Sequence, residues 1–245
     1  MWFTKLLRHG VTAGAAAGLS AALVLWLVVE PVIRRALIIE QAREEQHHGP
    51  SHEPLVSRTL QVFGGVATAA LVGVMVGVVF AVVFARTRHR LPGRTDVGRS
   101  AALATAAFLV VTLLPALKIP ANPPGVGDPA TVAERTLLYV LTVLVGLLGV
   151  GLVSAVDRRL AVRGLGIPQR MLANTAVAVL CVVAVLALVP TSPDTVPADV
   201  PPTLLWDFRV ASLAQLATMW LVMGMVFGAM VESRAHARDA VPSPA

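Results

Sequence analysis

The sequence predicts an all-α polytopic membrane protein with six transmembrane helices, and three observations support this fold class. First, 56% of the 245 residues are hydrophobic and 14% are charged, with a mean hydropathy of +0.75, which is too apolar for a water-soluble domain. Second, the apolar residues form runs of about 20, the length that a helix needs to cross a bilayer. Third, basic residues cluster at the ends of these runs, as membrane topology requires.

Six segments meet or approach the length of a membrane-spanning helix. They are residues 11–29, 60–85, 101–117, 136–156, 172–189 and 210–231. Two cations precede the first segment, as in a cleaved signal peptide, but its run of three alanines lies inside the apolar stretch instead of after it. We therefore predict an uncleaved first helix and a single membrane domain over residues 1–245.

The charge distribution predicts that both termini are cytoplasmic. With six helices, most Lys and Arg residues fall on the same side as the termini, which the positive-inside rule identifies as the cytoplasm. Most Asp and Glu residues fall on the other side. The isoelectric point of about 10.9 is therefore attributed to membrane topology and not to a nucleic-acid partner. The predicted location is the bacterial inner membrane, with a cytoplasmic tail at residues 232–245.

The three outer loops are the longest connections and the richest in proline, so we expect the recognition surface to face outward. They comprise residues 30–59, 118–135 and 190–209. The sequences "HEPLVSR", "GDPATVAER" and "PPTLLWDFR" each place a proline shortly before an arginine at the entry to an even-numbered helix. This pattern is consistent with three related helical hairpins.

The first outer loop mixes imidazoles with carboxylates in "EQAREEQHHGPSHE". Such a mixture suits borderline divalent cations such as Co²⁺, Ni²⁺ or Zn²⁺, and an acidic loop raises the local cation concentration. The alternative is a solvated polar loop in which the adjacent histidines are incidental. The candidate metal ligands here are Glu40, Glu44, Glu45, His47, His48, His52 and Glu53.

The second and third outer loops supply polar residues for a pore mouth. Prolines and glycines in "KIPANPPGVGDPATVAER" predict a stiff backbone that carries Asn122 and Asp128, although a rigid hairpin connector would look the same. The acidic third loop adds Asp199, and Trp206 is expected at the membrane interface. Arginines that either pair with neighbouring carboxylates or extend to lipid head groups are Arg58, Arg135 and Arg209.

Other chemistries are disfavoured. Glu30 and Lys118 fall at predicted helix ends, so we assign them structural or gating roles and predict no buried proton relay. The chain contains no GxxxxGK[ST], HExxH or GxSxG motif, so no enzyme activity and no permanently bound cofactor are expected. Cys181 is the one cysteine and is expected to pack among apolar residues. Glycines predicted to form close helix contacts are Gly10, Gly14, Gly18, Gly73, Gly77, Gly224 and Gly228.

Three motifs resemble the probable cobalt transporter subunit family called CbtA: "EPVIRRALIIEQA", "KIPANPPGVGDPATVAERT" and "VPADVPPTLLWDFRVASL". The resemblance covers nearly the whole chain. It implies an integral membrane transporter that brings in cobalt for cobalamin biosynthesis, with a small single-helix partner, CbtB. The family is often described with five membrane helices, whereas the charge distribution favours six here. The matching motif residues are Glu30, Pro31, Glu40, Lys118, Pro120, Asn122, Pro123, Pro124, Gly127, Asp128, Arg135, Asp199, Trp206 and Arg209.

Residues and resemblance together predict uptake of a divalent transition-metal cation. Co²⁺ is the expected transported ion, with Ni²⁺ and Zn²⁺ as alternatives. Membrane lipids, a CbtB-type subunit and further copies of the chain are the expected partners. The alternative function is a non-transporting membrane scaffold that binds metal or stabilises a partner subunit.

Overall fold

The computed structural model describes residues 2–46 and 57–239, and the regular structure within these ranges is helical. Two π-helical segments, Leu25–Val29 and Phe108–Leu113, each join two α-helices into one continuous stretch. The α-helices are α1 (Trp2–Val24), α2 (Glu30–Gln46), α3 (Arg58–Thr87), α4 (Asp96–Ala107), α5 (Leu114–Lys118), α6 (Val132–Val162), α7 (Ile167–Leu188) and α8 (Pro202–Asp239).

Six continuous helical stretches in the described chain are long and apolar enough to cross a membrane. They are Phe3–Arg43, Thr59–Arg90, Asp96–Lys118, Pro129–Val162, Ile167–Leu188 and Pro202–Ser233. The predicted six-helix membrane fold is therefore confirmed. The cytoplasmic position of both termini stays a prediction.

The first helix differs most from its predicted boundaries. Residues 30–46, expected to begin the outer loop 30–59, form α2 and continue the first span. A hydropathy profile detects a helix only where its residues are apolar. The residues of α2 are rich in Glu, Gln and Arg, so this helix gave no such signal. These residues are good helix formers in spite of their polarity. Glu30, predicted at a helix end, consequently lies inside a continuous helix.

The chain divides into two compact units, of which the first comprises Met1–Phe108, Pro123–Gly125 and Val200–Ala245. Within it, α1 packs against α3 and α8, and α4 packs against α8. Gly10 faces Gly77 and Gly14 faces Gly73 so closely that a Cβ at any of these positions would collide with the opposite backbone. Small residues allow helices in a bilayer to approach in this way. The predicted packing role of these glycines is confirmed.

Glycines also allow α8 to cross α4 at close range. A Cβ on Gly224 would lie 2.7 Å from the Cβ of Ala104, and a Cβ on Gly228 would lie 2.7 Å from the Cα of Val97. Beside this crossing, the ring of Phe227 is fully buried and meets the rings of two α3 phenylalanines edge to face. Edge-to-face pairs of this kind add about 0.5–1.5 kcal/mol beyond area burial.

The second unit comprises Leu109–Asn122 and Val126–Asp199. Here α6 packs against α7 and α5, around the buried residues Leu114, Leu138, Val185 and Val189. An apolar groove of about 370 Å³ runs along these helices. Cys181 is half-buried on its wall, and its Sγ would lie 3.6 Å from a Cβ on Gly149. This position fits the packing role predicted for the thiol.

Candidate functional site

The carboxylate of Asp194 organises the loops of the second unit. Its Oδ2 accepts hydrogen bonds from Asn122 Nδ2 at 3.0 Å and from Arg135 Nη1 at 2.7 Å. Its Oδ1 accepts from the backbone N–H of Asp128 at 2.8 Å and from the hydroxyl of Thr131 at 3.1 Å. Four donors from the segment between residues 122 and 135 therefore converge on one side chain, which is 3% exposed.

The local sequence explains how this convergence arises. Gly127 has a φ of +115° and, if it carried a Cβ, that atom would lie 2.7 Å from Oδ2 of Asp194. Only glycine supplies both the backbone angle and the space. Asp128 then caps the short 3-10 helix Pro129–Thr131, because its carboxylate accepts from the N–H of Ala130 at 2.8 Å. The turn and the cap together aim the Asp128 N–H at Asp194.

Opposing influences act on the pKa of Asp194. Burial is the largest and raises the pKa, but the hydrogen bonds from Asp128, Thr131 and Asn122, together with the charge of Arg135, outweigh it. The net result is a pKa below the ordinary value of an aspartate. The carboxylate is therefore ionised at neutral pH and is already neutralised by an arginine, so its role is to hold the loop.

Two predicted mouth residues thus meet at a carboxylate that the sequence did not single out. Asn122 uses its amide N–H group to hold Asp194, and Asp128 uses its carboxylate as a helix cap. Arg135 pairs with a carboxylate, which was one of the two alternatives predicted for it. Lys118 donates to the carbonyl oxygen of Leu186 at 2.8 Å, where a cation complements the carboxyl end of α7.

In the first unit, α2 carries a row of charged residues. Glu30 is 6% exposed, and its Oε1 accepts from Nε of Arg34 at 3.1 Å. One residue further along, Arg35 Nη2 donates to Oδ2 of Asp207 at 2.9 Å. The second pair is about half exposed on both sides, so it contributes at most about 1 kcal/mol.

Glu40 and Arg43 lie near the end of α2, against a short loop segment of the same unit. Gly125 has a φ of +72°, and a Cβ on it would lie 2.7 Å from Oε2 of Glu40. Arg43 Nη1 donates to the carbonyl oxygen of Gly125 at 3.3 Å. Pro123, two residues earlier, is fully buried. The carboxylate of Glu40 is thus placed beside a loop glycine that could not be another residue without strain.

The other candidate residues have definite places or lie outside the description. Asp199 is exposed in a turn at residues 198–199, and in α8 Trp206 is 69% exposed while Arg209 is half-buried. Exposure suits the interface role predicted for Trp206. The backbones of Glu44, Glu45 and Arg58 are helical, but their side chains lie outside the described part. The remaining candidates, which fall outside the described residues altogether, are His47, His48, His52 and Glu53.

The described residues contain no group of three or more His, Cys, Asp or Glu side chains that could hold a metal ion. Asn122 and Asp128 are brought together, but around Asp194 and not around open space. A rigid loop whose polar groups already bond to Asp194 can shape an entrance. It does not offer the convergent free oxygens that a tight cation site requires.

Two further charged clusters were not predicted as sites. In the first unit, buried Asp96 accepts from Arg88 and Arg99, and Glu232 accepts from the N–H of Val97 at 3.0 Å. In the second unit, Asp157 accepts from Arg170 and Asn174. Arg99 lies on the same helix as Asp96, and the other partners join an acid to a neighbouring helix or to its end, so both clusters fix helix positions. Their signal in the sequence is an acid near a helix terminus with an arginine in the adjoining connection or in the first turn of the next helix.

The family model for the probable cobalt transporter subunit, CbtA, matches residues 3–232 of the chain. The chain belongs to the CbtA family. The match reaches from the first of the six membrane-spanning helices to the last, and it confirms the resemblance seen in the loop motifs. No curated protein and no solved structure matches the chain.

The CbtA description gives the chain a coarse function. It is a transporter subunit associated with cobalt and a multi-pass membrane protein. The family is one of transporter subunits and not of enzymes, and the word subunit implies a partner.

Proposed function

We propose that this CbtA protein takes up a divalent transition-metal cation, Co²⁺, into the bacterial cytoplasm for cobalamin biosynthesis. The observation that carries the proposal is the family match over residues 3–232. The six spans are consistent with it, since a pathway through a bilayer needs several helices around it. In this proposal the chain lies in the inner membrane with both termini in the cytoplasm.

Capture is assigned to the outer segment that begins on α2. The backbone of α2 is helical through Gln46, so positions 40 and 44 are one turn apart, and Glu45 follows directly. The proposed capture loop then continues with His47, His48, His52 and Glu53. Imidazoles favour Co²⁺, Ni²⁺ and Zn²⁺ over the harder Ca²⁺ and Mg²⁺, so this loop would give the first selection.

The loop held by Asp194 is assigned to the entrance. Asn122 and Asp128 are fixed by the hydrogen bonds around Asp194, and Asp199 lies in an exposed turn. Their outward carbonyl and carboxylate oxygens would contact a partly hydrated cation. The structural residues Lys118 and Arg135 would keep the entrance in shape through their bonds to Leu186 and Asp194.

The membrane potential can drive such uptake. Moving a dication inward is favoured by about 4.6 kcal/mol per 100 mV, twice the value for a single charge. Uptake therefore does not need an ATPase to supply its free energy. The partner that the family description implies is proposed to be a small CbtB-type subunit with one membrane helix, while association with further copies of this chain is the alternative.

Uptake of ⁵⁷Co²⁺ into proteoliposomes that contain the chain alone tests the proposal. We expect accumulation that requires an inside-negative potential and is reduced by competing Ni²⁺ or Zn²⁺. In His47→Ala/His48→Ala/His52→Ala, the half-saturating Co²⁺ concentration should rise more than maximal flux falls. An unchanged concentration dependence would rule out capture by these histidines.

A non-transporting scaffold is the second candidate function. It is favoured by the word subunit in the family description, because a subunit can support a transporter without carrying the cation itself. A scaffold would bind Co²⁺ or co-purify with a partner yet give no flux in oriented proteoliposomes. Addition of a CbtB-type subunit to the same vesicles separates the two candidates, because only a transporter that needs its partner would then gain flux.

A further inference from the structure

The second unit carries an apolar groove between α6, α7 and the segment Leu109–Leu117. Its volume is about 370 Å³, and its lining side chains are aliphatic apart from Ser154 and Cys181. The walls of an unfilled groove lose their dispersion contacts, so apolar material from outside the unit is expected to fill it. In a bilayer this material is either the acyl chain of a lipid or a helix of another chain.

The length of the groove fits an acyl chain. On α6 the lining runs from Val145 to Ser154, a rise of about 14 Å at about 1.5 Å per residue. Half of the hydrocarbon core of a bilayer is about 15 Å thick. The groove therefore matches the acyl chain of one leaflet, whereas a membrane-spanning helix of about 30 Å would extend well beyond it.

The end of the α6–α7 hairpin just beyond the groove is strongly basic. Asp157 on α6 accepts a hydrogen bond from Nε of Arg170 on α7 at 3.0 Å, so these two charges largely cancel at a distance. Three further arginines lie between them in the sequence, and all three are exposed. They are Arg158, Arg159 and Arg163. Three positive charges therefore remain at this end of the groove.

Helical spacing places the first of these charges in line with the groove. Arg158 is four residues beyond Ser154 on α6, which is one turn along the same face and about 6 Å along the axis. Val145, at the other end of the lining, is about 20 Å from Arg158 along the axis. Half a bilayer with its head groups measures about 20–22 Å. A phosphate held at Arg158 would therefore lie at head-group depth while its acyl chain reached the bilayer midplane.

We propose that this groove and the arginines Arg158, Arg159 and Arg163 form a binding site for an anionic phospholipid. The arginines hold the phosphate, because guanidinium groups donate charge-assisted hydrogen bonds to phosphate oxygens, and the groove holds one acyl chain. Basic pockets between membrane helices recognise anionic head groups in this way. The positive-inside rule accounts for arginines at a helix end, but it does not account for a groove one leaflet long beside them. The site does not depend on the proposed uptake function.

Native mass spectrometry of the full chain, released from nanodiscs, measures which lipid the protein retains. The nanodiscs contain phosphatidylglycerol, which is anionic, and phosphatidylcholine, which has no net charge. We expect the protein to retain phosphatidylglycerol in preference. In Arg158→Gln/Arg159→Gln/Arg163→Gln this preference should fall about tenfold or more, because three cations no longer attract the head group.

The matched control for the arginine variant is Arg86→Gln/Arg90→Gln/Arg94→Gln. It removes three exposed arginines from the end of α3 and the connection that follows. The net charge of the chain changes by the same amount in both variants. The control should therefore keep its preference for phosphatidylglycerol if the lipid is bound at the α6–α7 end.

A phosphatidylglycerol with a diazirine on its acyl chain tests the groove itself. After illumination, cross-links should map to the groove-lining parts of α6 and α7. Ala178→Phe places a ring on the groove wall and should reduce these cross-links severalfold. Ala176→Phe adds the same ring at an exposed position of α7 that does not line the groove, and it should leave the cross-links unchanged.

Four results overturn the site. They are equal retention of the two lipids, an equal effect of the two triple-arginine variants, unchanged cross-linking in Ala178→Phe, and no cross-links in the groove. Unchanged cross-linking in Ala178→Phe would mean that the arginines attract anionic lipid only to the surface. A groove without cross-links in a protein released as two chains would assign it to a second copy of the chain.

Discussion

Replacing Asp194 with asparagine should release the loop between residues 122 and 135. The change keeps the size of the side chain but removes its charge and turns one acceptor oxygen into an NH₂ donor. Each oxygen of Asp194 receives two donors, so either orientation of the amide opposes two of them. The hydroxyl of Thr131 can turn to accept, whereas the N–H of Asp128 and the guanidinium of Arg135 cannot.

The magnitude follows from burial. Breaking a buried ion pair by removing one partner costs about 3–5 kcal/mol. Asp194 is 3% exposed but Arg135 is 27% exposed, and water can partly solvate the freed guanidinium, so we expect the lower end, about 3 kcal/mol. Because every 1.4 kcal/mol is tenfold, the loop should open roughly a hundredfold more often.

Hydrogen–deuterium exchange of the chain in nanodiscs measures this opening. The N–H of Asp128 is the reporter, since it donates to Asp194 at 2.8 Å in the closed loop. Its exchange should become about a hundredfold faster in Asp194→Asn. Glu134→Gln is the matched control, because it makes the same chemical change on an exposed side chain, where substitutions shift stability by about 0.5 kcal/mol or less.

Equal exchange in Asp194→Asn and Glu134→Gln would refute the view that Asp194 holds the loop. A double-mutant cycle with Arg135→Gln provides a second check. Because the two side chains share one contact, their effects should fall short of additivity by about 1–3 kcal/mol. Simple additivity would mean that the pair contributes nothing as a pair.

Two further predictions concern acid and helix packing. The pKa of Asp194 is lowered in the folded chain. Its stabilising contribution is therefore complete above the ordinary pKa of about 3.9 and is lost as the pH falls through the folded pKa. Exchange of the Asp128 N–H, corrected for intrinsic rates, should rise on acidification below about pH 4 in the wild type and not in Asp194→Asn. Gly77→Ala would press a Cβ against the carbonyl of Gly10 and should cost about 1–3 kcal/mol in thermal unfolding, whereas Gly64→Ala, with nothing within 4 Å, should be neutral or stabilising by up to about 1 kcal/mol.

The six spans and the glycine contacts could be predicted because their signals are local. A bilayer imposes a minimum apolar length on each helix, and close crossings need small residues at regular spacing. Gly10 and Gly14 therefore indicated a packing face before their partners on α3 were known. The polar helix α2 was missed for the same reason, since its residues carry no apolar signal.

The role of Asp194 could not be predicted because it depends on distant pairing. The sequence shows three aspartates in the third outer loop, and nothing local distinguishes the one that meets the N–H of Asp128, 66 residues away. The second loop does carry one signal, which is an excess of hydrogen-bond donors over acceptors. The donors come from Asn122, Arg135 and the turn at Gly127, so a carboxylate from another part of the chain was needed.

For the proposed uptake, the charge pairs of the structure reduce the number of carboxylates that could attract a cation. The sequence suggested an acidic surface across all outer loops, yet the carboxylate of Asp194 is matched by Arg135, that of Asp207 by Arg35 and that of Glu30 by Arg34. A carboxylate that already holds a guanidinium attracts a dication weakly, because the two charges largely cancel beyond a few ångströms. An exposed arginine can leave such a pair at little cost, whereas the Arg135 pair cannot separate without opening the loop. In the proposed function, capture by attraction would therefore fall to the end of α2 and to the histidines that follow it in the sequence.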